Sequence, residues 1–199
     1  MRKPTITLMW TSNKPEKLGA FLLLLFTLMF LGAGTCHATN IVSDGETDIC
    51  GVSEDRLAKY VERISPHAEL IKTTLRNHNV DENFIWLAMI ESGGDTEAAS
   101  DRGAVGLWQL TKHTAKHYGC SPLLRTDATC STNAAAKYLA KLSKDFNGNV
   151  WDIVVAYNMG GSNYKRRGKP TFEARALANT VTCLMRRDGL WEKLRSERS

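Results

Sequence analysis

No Cys-x-x-Cys pair occurs in the 199 residues, and the five histidines do not cluster at ligand spacing. That argues against a zinc site, and no metal or other cofactor is expected. Internal repeats and low-complexity segments are missing, so the chain reads as one unit rather than an array. No period-two alternation marks a convincing strand. The one long apolar run, Leu18 to Leu31, is short for a membrane span. Basic segments are not interleaved with aromatics, so nucleic acid is not an expected partner. A clear pair of catalytic acids is also lacking, because Asp95 and Asp101 sit in a glycine-containing loop and read as loop or surface groups.

The amino-terminal region has its own logic. Arg2, Lys3, Lys14 and Lys17 precede the apolar run, which gives way to Gly32-Ala33-Gly34-Thr35-Cys36-His37-Ala38. This pattern predicts a signal peptide over 1–38, cut after Ala38, and hence a periplasmic or secreted protein. An uncleaved anchor is the competing reading and the one that would give membrane contact. A lipoprotein signal fits less well, since Thr35 precedes Cys36 and the expected leucine is missing. Cleavage removes Cys36 and leaves Cys50, Cys120, Cys130 and Cys183, an even set that suggests two disulfides in an exported domain. Of three pairings, Cys120 with Cys130 would staple a short loop and Cys50 with Cys183 would tie the domain ends. The rest of the chain suits one domain. From Gly160 to Ser199 there are ten Lys or Arg against four acids, a basic tail that is solvated or faces an anionic envelope.

Residues 39–53 read as a loose lead-in, and 54–199 as a single all-α globular domain ending in that tail. Helical patterns cover 54–64, 67–78 and 82–91, the last capped by Asp81 and stopped by Gly93-Gly94. Thr111 caps a short helix to Tyr118. Ser131 is the expected cap of a helix whose stripe is Ala135, Tyr138, Leu139, Leu142 and Phe146. Another helix carries Trp151, Val154, Val155 and Asn158 on one face, then Lys165 to Pro170 forms a basic turn before a last helix over 172–186. A small irregular or β-like patch is expected near 93–110.

Within the third helix, Phe84, Leu87, Ala88 and Glu91 share a face. Glu91 therefore lies on the side that seeks the core, where desolvation and the negative helix end both favour a neutral carboxyl near neutral pH. Such a group can act as a general acid, although a lone glutamate closing a helix more often just reaches water. Two further segments set polar side chains among apolar ones: Gly106-Leu107-Trp108-Gln109 and Ala156-Tyr157-Asn158-Met159-Gly160. Aromatic walls with a few amides and hydroxyls suit a sugar polymer.

Taken in order, Glu91-Ser92, Ser100, Gly106-Leu107-Trp108-Gln109 and Ala156-Tyr157-Asn158-Met159-Gly160 resemble the hallmarks of the lytic transglycosylases, the SLT-domain enzymes of the goose-lysozyme-like superfamily, and most of all their D-type membrane-bound branch. The resemblance covers roughly residues 68–187. It implies a lysozyme-like fold and cleavage of the β-1,4 bond between N-acetylmuramic acid and N-acetylglucosamine in peptidoglycan, with a 1,6-anhydromuramoyl end. By it, Glu91 is the sole acid and base, Ser100 and Gln109 contact the sugar or its N-acetyl group, and Tyr157 orients Glu91. Asn158 holds the groove, Gly106 allows close backbone approach, and Ser92 is the weakest assignment. Lys112 departs from the family, which commonly has proline there. A hydrolytic muramidase on the same scaffold and a non-catalytic wall-binding or assembly module are the alternatives. Glycan strands are the implied partner, and recruitment by a secretion, conjugation or phage assembly is compatible.

Overall fold

A computed structural model describes residues 48–196; the leader, its cut after Ala38 and the first part of the lead-in lie outside the described residues. Strands β1 (Asp48–Ile49) and β2 (Val52–Ser53) form a minimal antiparallel hairpin. Cys50 and Gly51 make its turn at φ of 59° and 83°, the left-handed pair a two-residue hairpin loop demands. Two residues per strand carry no alternation to read, so the sequence shows only a lead-in. The hairpin is tethered by the Cys50–Cys183 disulfide, and the Cys50 carbonyl accepts a bond from the Thr180 hydroxyl at 3.1 Å.

Helix α1 (Glu54–Ile64) buries Leu57, Ala58, Val61 and Ile64, a helical stripe. A 3-10 turn at Ser65–His67 leads into α2 (Ala68–Asn77). The Asp81 carboxylate accepts the Asn83 N–H at 2.8 Å and starts a second 3-10 turn, Glu82–Phe84, which runs into α3 (Ile85–Ser92). Residues Ile85 to Met89 are all buried, so α3 is apolar on every side and lies in the middle of the domain. It touches α1, α2 and α8 (Phe172–Met185). The chain continues through α4 (Lys112–His117), α5 (Ala128–Asp145), α6 (Val150–Met159) and α7 (Gly161–Arg167). Helix α6 runs along α8, and α5 packs on α2 and α6. The expected β-like patch is present as isolated bridges, Ala99 with Val105 and Val105 with Leu110.

Three expectations change. Helix α5 starts before Ser131, because Asp127 accepts the Cys130 N–H at 2.6 Å and caps it; Ser131 is fully buried and donates to the Asp127 carbonyl at 2.7 Å. Both cap types were in reach, and the carboxylate wins at the position that leaves Ser131 facing the core. Lys165 to Arg167 belong to α7, and the turn begins at Gly168, whose φ of 66° ends that helix. The basic end is no loose tail: α9 (Leu190–Ser196) buries Leu190, Trp191 and Leu194 against α1, with Trp191 edge-on to Trp86 at 5.7 Å. Its cations stay outside, where Lys193 pairs with Glu54. The second disulfide joins Cys120 and Cys130, so the structure holds the two pairs favoured from the sequence. Among the described residues no helix is long and apolar enough to cross a membrane.

Candidate active site

Glu91 occupies the last turn of α3, whose C-cap is Gly93 in the left-handed conformation. The helix has to stop there. A side chain at Gly94 would place its Cβ 2.7 Å from the Tyr60 carbonyl oxygen, so only glycine lets α3 end so close to α1. Glu91 is half-buried and keeps an opening to solvent. Burial nevertheless pushes its carboxyl up from the ordinary 4.5 to about 7, with no cation or hydrogen-bond donor acting the other way. A carboxyl of that kind is neutral below about pH 7 and can give up its proton just above it.

Ser92 is committed to the helix end. Its hydroxyl donates to the Ala88 carbonyl at 2.9 Å and accepts the Gly94 N–H at 3.1 Å, which satisfies backbone groups the terminus leaves open.

Residues 98–110 form a tongue that enters the core through Leu107, Trp108 and Leu110. Ser100 opens its outer turn, where the Ser100 and Ala104 backbones pair at 2.9 Å and the Ser100 hydroxyl accepts the Ala104 N–H at 3.1 Å. The hydroxyl proton is left to donate elsewhere, and among the described residues the bonds of Ser100 stay within its own turn. Gly106, at φ of 81°, donates to the Ala98 carbonyl at 2.8 Å. A Cβ there would lie 2.1 Å from the Arg125 carbonyl oxygen. The chain's own backbone at Arg125 makes a close approach to Gly106. Gln109 sends Nε2 to the carbonyls of Ala98 and Gly106, both at 3.0 Å. Two acceptors fix which end of the amide is nitrogen and leave Oε1 open.

Tyr157, near the end of α6, is 8% exposed and donates its hydroxyl to the Trp108 carbonyl at 2.7 Å. Burial first, then the charge of Glu91, then Tyr138, hold its hydroxyl well above the ordinary range. Glu91 and Tyr157 are thus brought together, and Trp108 joins them. The Tyr157 proton goes to the tongue, so Tyr157 does not orient Glu91 by donating to it. Asn158, one residue on, is exposed, and among the described residues its amide has no hydrogen-bond partner.

Two supporting residues carry no chemical signal in the sequence. Thr132 accepts the Trp108 indole N–H at 2.9 Å, both side chains fully buried, and a threonine inside a helix gives no hint of such a partner 24 residues away. Tyr138 reads as core from its stripe, yet its ring lies 5.2 Å from Tyr157 and 5.0 Å from Tyr118. Its hydroxyl donates to the Ala156 carbonyl and accepts the Gly161 N–H, pinning the end of α6. Asp95 accepts the Glu97 N–H at 2.8 Å, a loop-capping role, and Asp101 is exposed. Among the described residues no group of three His, Cys, Asp or Glu could hold a metal ion.

Residues 69–178, more than half of the chain, match the Transglycosylase SLT domain family. The chain belongs to that family. Membrane-bound lytic murein transglycosylase D of Escherichia coli (strain K12) is 31% identical over 120 residues, covering 55% of this chain and 26% of that protein. A protein of Alteromonas sp. (strain M-1) named for tributyltin chloride resistance is 32% identical over 119 residues, 54% of this chain and 58% of that one. Membrane-bound lytic murein transglycosylase F of Alcanivorax borkumensis is 29% identical over 147 residues, 62% and 30%. The chain thus matches between about a quarter and three fifths of these relatives' lengths. The lysozyme-like, all-α fold of this SLT domain brings Glu91, a carboxyl raised to about 7, near Tyr157, whose hydroxyl bonds the tongue at the Trp108 carbonyl.

Proposed function

We propose that this SLT domain is a peptidoglycan lytic transglycosylase, cleaving the β-1,4 bond between N-acetylmuramic acid and N-acetylglucosamine and closing a 1,6-anhydro ring on the muramoyl end. The observation that carries it is Glu91, a carboxyl raised to about 7 by burial with no second acid acting on it. Two carboxyls are the usual equipment for hydrolysing a glycosidic bond. One suffices if the substrate supplies the rest.

Neutral Glu91 protonates the glycosidic oxygen as the C1–O bond breaks. The neighbouring N-acetyl group of the muramoyl residue stabilises the cationic C1. The sugar's own C6 hydroxyl then attacks C1 while the Glu91 carboxylate takes its proton, so the acid returns to its starting state and no water is consumed. A pKa near 7 serves both transfers. Gln109 Oε1 and the Asn158 amide are the open polar groups for the sugar's N–H and hydroxyls, and the Ser100 hydroxyl proton is a third. Tyr157 shapes the floor beside Glu91, and Ser92 and Gly106 act by holding backbone. The basic and apolar leader supports export to the compartment where peptidoglycan lies.

Purified protein should release muropeptides one water lighter than hydrolytic products, and Glu91→Gln should keep the fold while losing about a thousandfold or more in rate, the scale of a general acid-base group. Mass spectrometry of products from sacculi checks both. Water-added ends would make the enzyme a muramidase, and wall binding without turnover would make it a binding module.

A further inference from the structure

We propose that Arg125 is a positioning residue for this reaction, a buried cation that seats the motif-bearing half of the tongue by gripping it at Gly103 and Leu110; the proposal rests on the transglycosylase reading. Arg125 is 7% exposed. Its Nη1 donates to the carbonyls of Gly103 at 2.7 Å and Leu110 at 3.0 Å, and its Nε donates to the Pro122 carbonyl at 2.8 Å. Gly103 and Leu110 bracket the part of the tongue that carries Gly106, Trp108 and Gln109. The Arg125 carbonyl is the group that lies under Gly106. One residue therefore holds the tongue by side chain and by backbone at once.

No carboxylate among the described residues pairs with this guanidinium; it is surrounded by carbonyl dipoles. An apolar side chain of similar length would fill the space without desolvating a charge. It could not fix two carbonyls seven positions apart, whereas a planar fork that is always protonated can. The grip then passes on to the acid. The Trp108 carbonyl, inside the gripped segment, receives the Tyr157 hydroxyl at 2.7 Å, and Tyr157 lies near enough to sense the Glu91 charge.

The segment that carries Arg125 is not held by apolar burial, for Leu123 and Leu124 are 91% and 52% exposed. Its anchors are the Cys120–Cys130 disulfide on either side, the Asp127 cap of α5, and Arg125 itself. The short staple thus fixes the base from which the tongue is positioned.

The test uses the full chain with peptidoglycan sacculi, comparing wild type, Arg125→Lys and Arg125→Met by kcat and KM for anhydro-ended product, by melting, and by the pH dependence of the rate. Lysine keeps the charge and one donor direction, so Arg125→Lys should fold and lose roughly tenfold in kcat, and Arg125→Met about a hundredfold, with smaller changes in KM. The descending limb of the rate, set near pH 7 by Glu91, should move to lower pH in both as water reaches the carboxyl. Among the described residues, Tyr157 from α6 is the ionisable group that senses the Glu91 charge, with Tyr138 from α5 against its ring, and burial holds both hydroxyls above the ordinary tyrosine range. A wild-type kcat with an unmoved limb in Arg125→Lys overturns the proposal. So does a rate loss matched by the unfolded fraction, or an Arg125→Lys protein that does not fold, since either makes Arg125 a strut. Wild-type protein that yields no anhydro ends defeats the transglycosylase reading first, and the Arg125 proposal with it.

Discussion

Helix α3, which carries Glu91, and the tongue at 98–110, which accepts the Tyr157 hydroxyl at Trp108, are two walls held by different physics. From Ile85 to Met89 every side chain of α3 is buried, and dispersion and apolar burial keep it in place. The tongue has few such anchors besides Leu107, Trp108 and Leu110, and is positioned by bonds between main-chain carbonyls and the side chains of Gln109 and Arg125. Damage to the first wall should therefore be read in stability, and damage to the second in turnover.

Among changes to the walls around Glu91, the largest effect is expected at Gly106. Gly106→Ala must adopt a left-handed φ and must also move the Arg125 carbonyl, which a Cβ would meet at 2.1 Å. The strain alone costs on the order of 1–3 kcal/mol, and the overlap adds to it. Cleavage should fall by about a hundredfold or more as the tongue lifts, while far-UV circular dichroism stays that of the helical domain. A near-normal rate would show that the tongue is not part of the site. Leu87→Ala tests the other wall. Leu87 is fully buried in α3, and its truncation should cost about 2–5 kcal/mol of unfolding free energy with little change in kcat per folded molecule. Chemical denaturation beside an active-site titration separates the two quantities.

Glu91 itself links the two walls through pH. Because its folded pKa is raised from 4.5 to about 7, the folded state holds the proton more tightly than the unfolded chain does. Wild-type stability is then fully present below pH 4.5, declines as pH rises to about 7, and is level beyond. Glu91→Gln has no such proton to lose. Melting curves should show the variant equal to wild type at low pH and more stable at pH 8, by no more than roughly 3–4 kcal/mol before allowance for the partial exposure of Glu91. A constant difference across that range would mean that the carboxyl is hydrated. The smallest change is Tyr157→Phe, which removes one bond to the Trp108 carbonyl and should cost about 1 kcal/mol together with a modest drop in rate.

Legibility followed the same division. The α3 wall could be read because its signals are local: Asp81 caps it, Gly93-Gly94 ends it, and the apolar run between them leaves Glu91 nowhere else to point. The tongue could be located by its motif but not explained, since the reason for glycine at 106 is a carbonyl 19 positions away and the partner of Trp108 is a threonine in another helix. Ser131 was the wrong cap because Asp127 and Ser131 both suit a helix start, and only the packing of α5 tells which faces solvent. Helix α9 was hidden because its two cations, Lys193 and Arg195, extend a strongly basic segment that reads as a solvated tail, while Leu190, Trp191 and Leu194 are too few to show a pattern in one short helix.

The Cys50–Cys183 bond spans 133 positions and turns most of the domain into a covalent ring. A protease cut anywhere inside that ring leaves one molecule that separates into two only after reduction. Tension applied ahead of residue 50 would cross the sulfur bridge straight into α8, leaving the helices that carry Glu91 and Tyr157 outside the line of force.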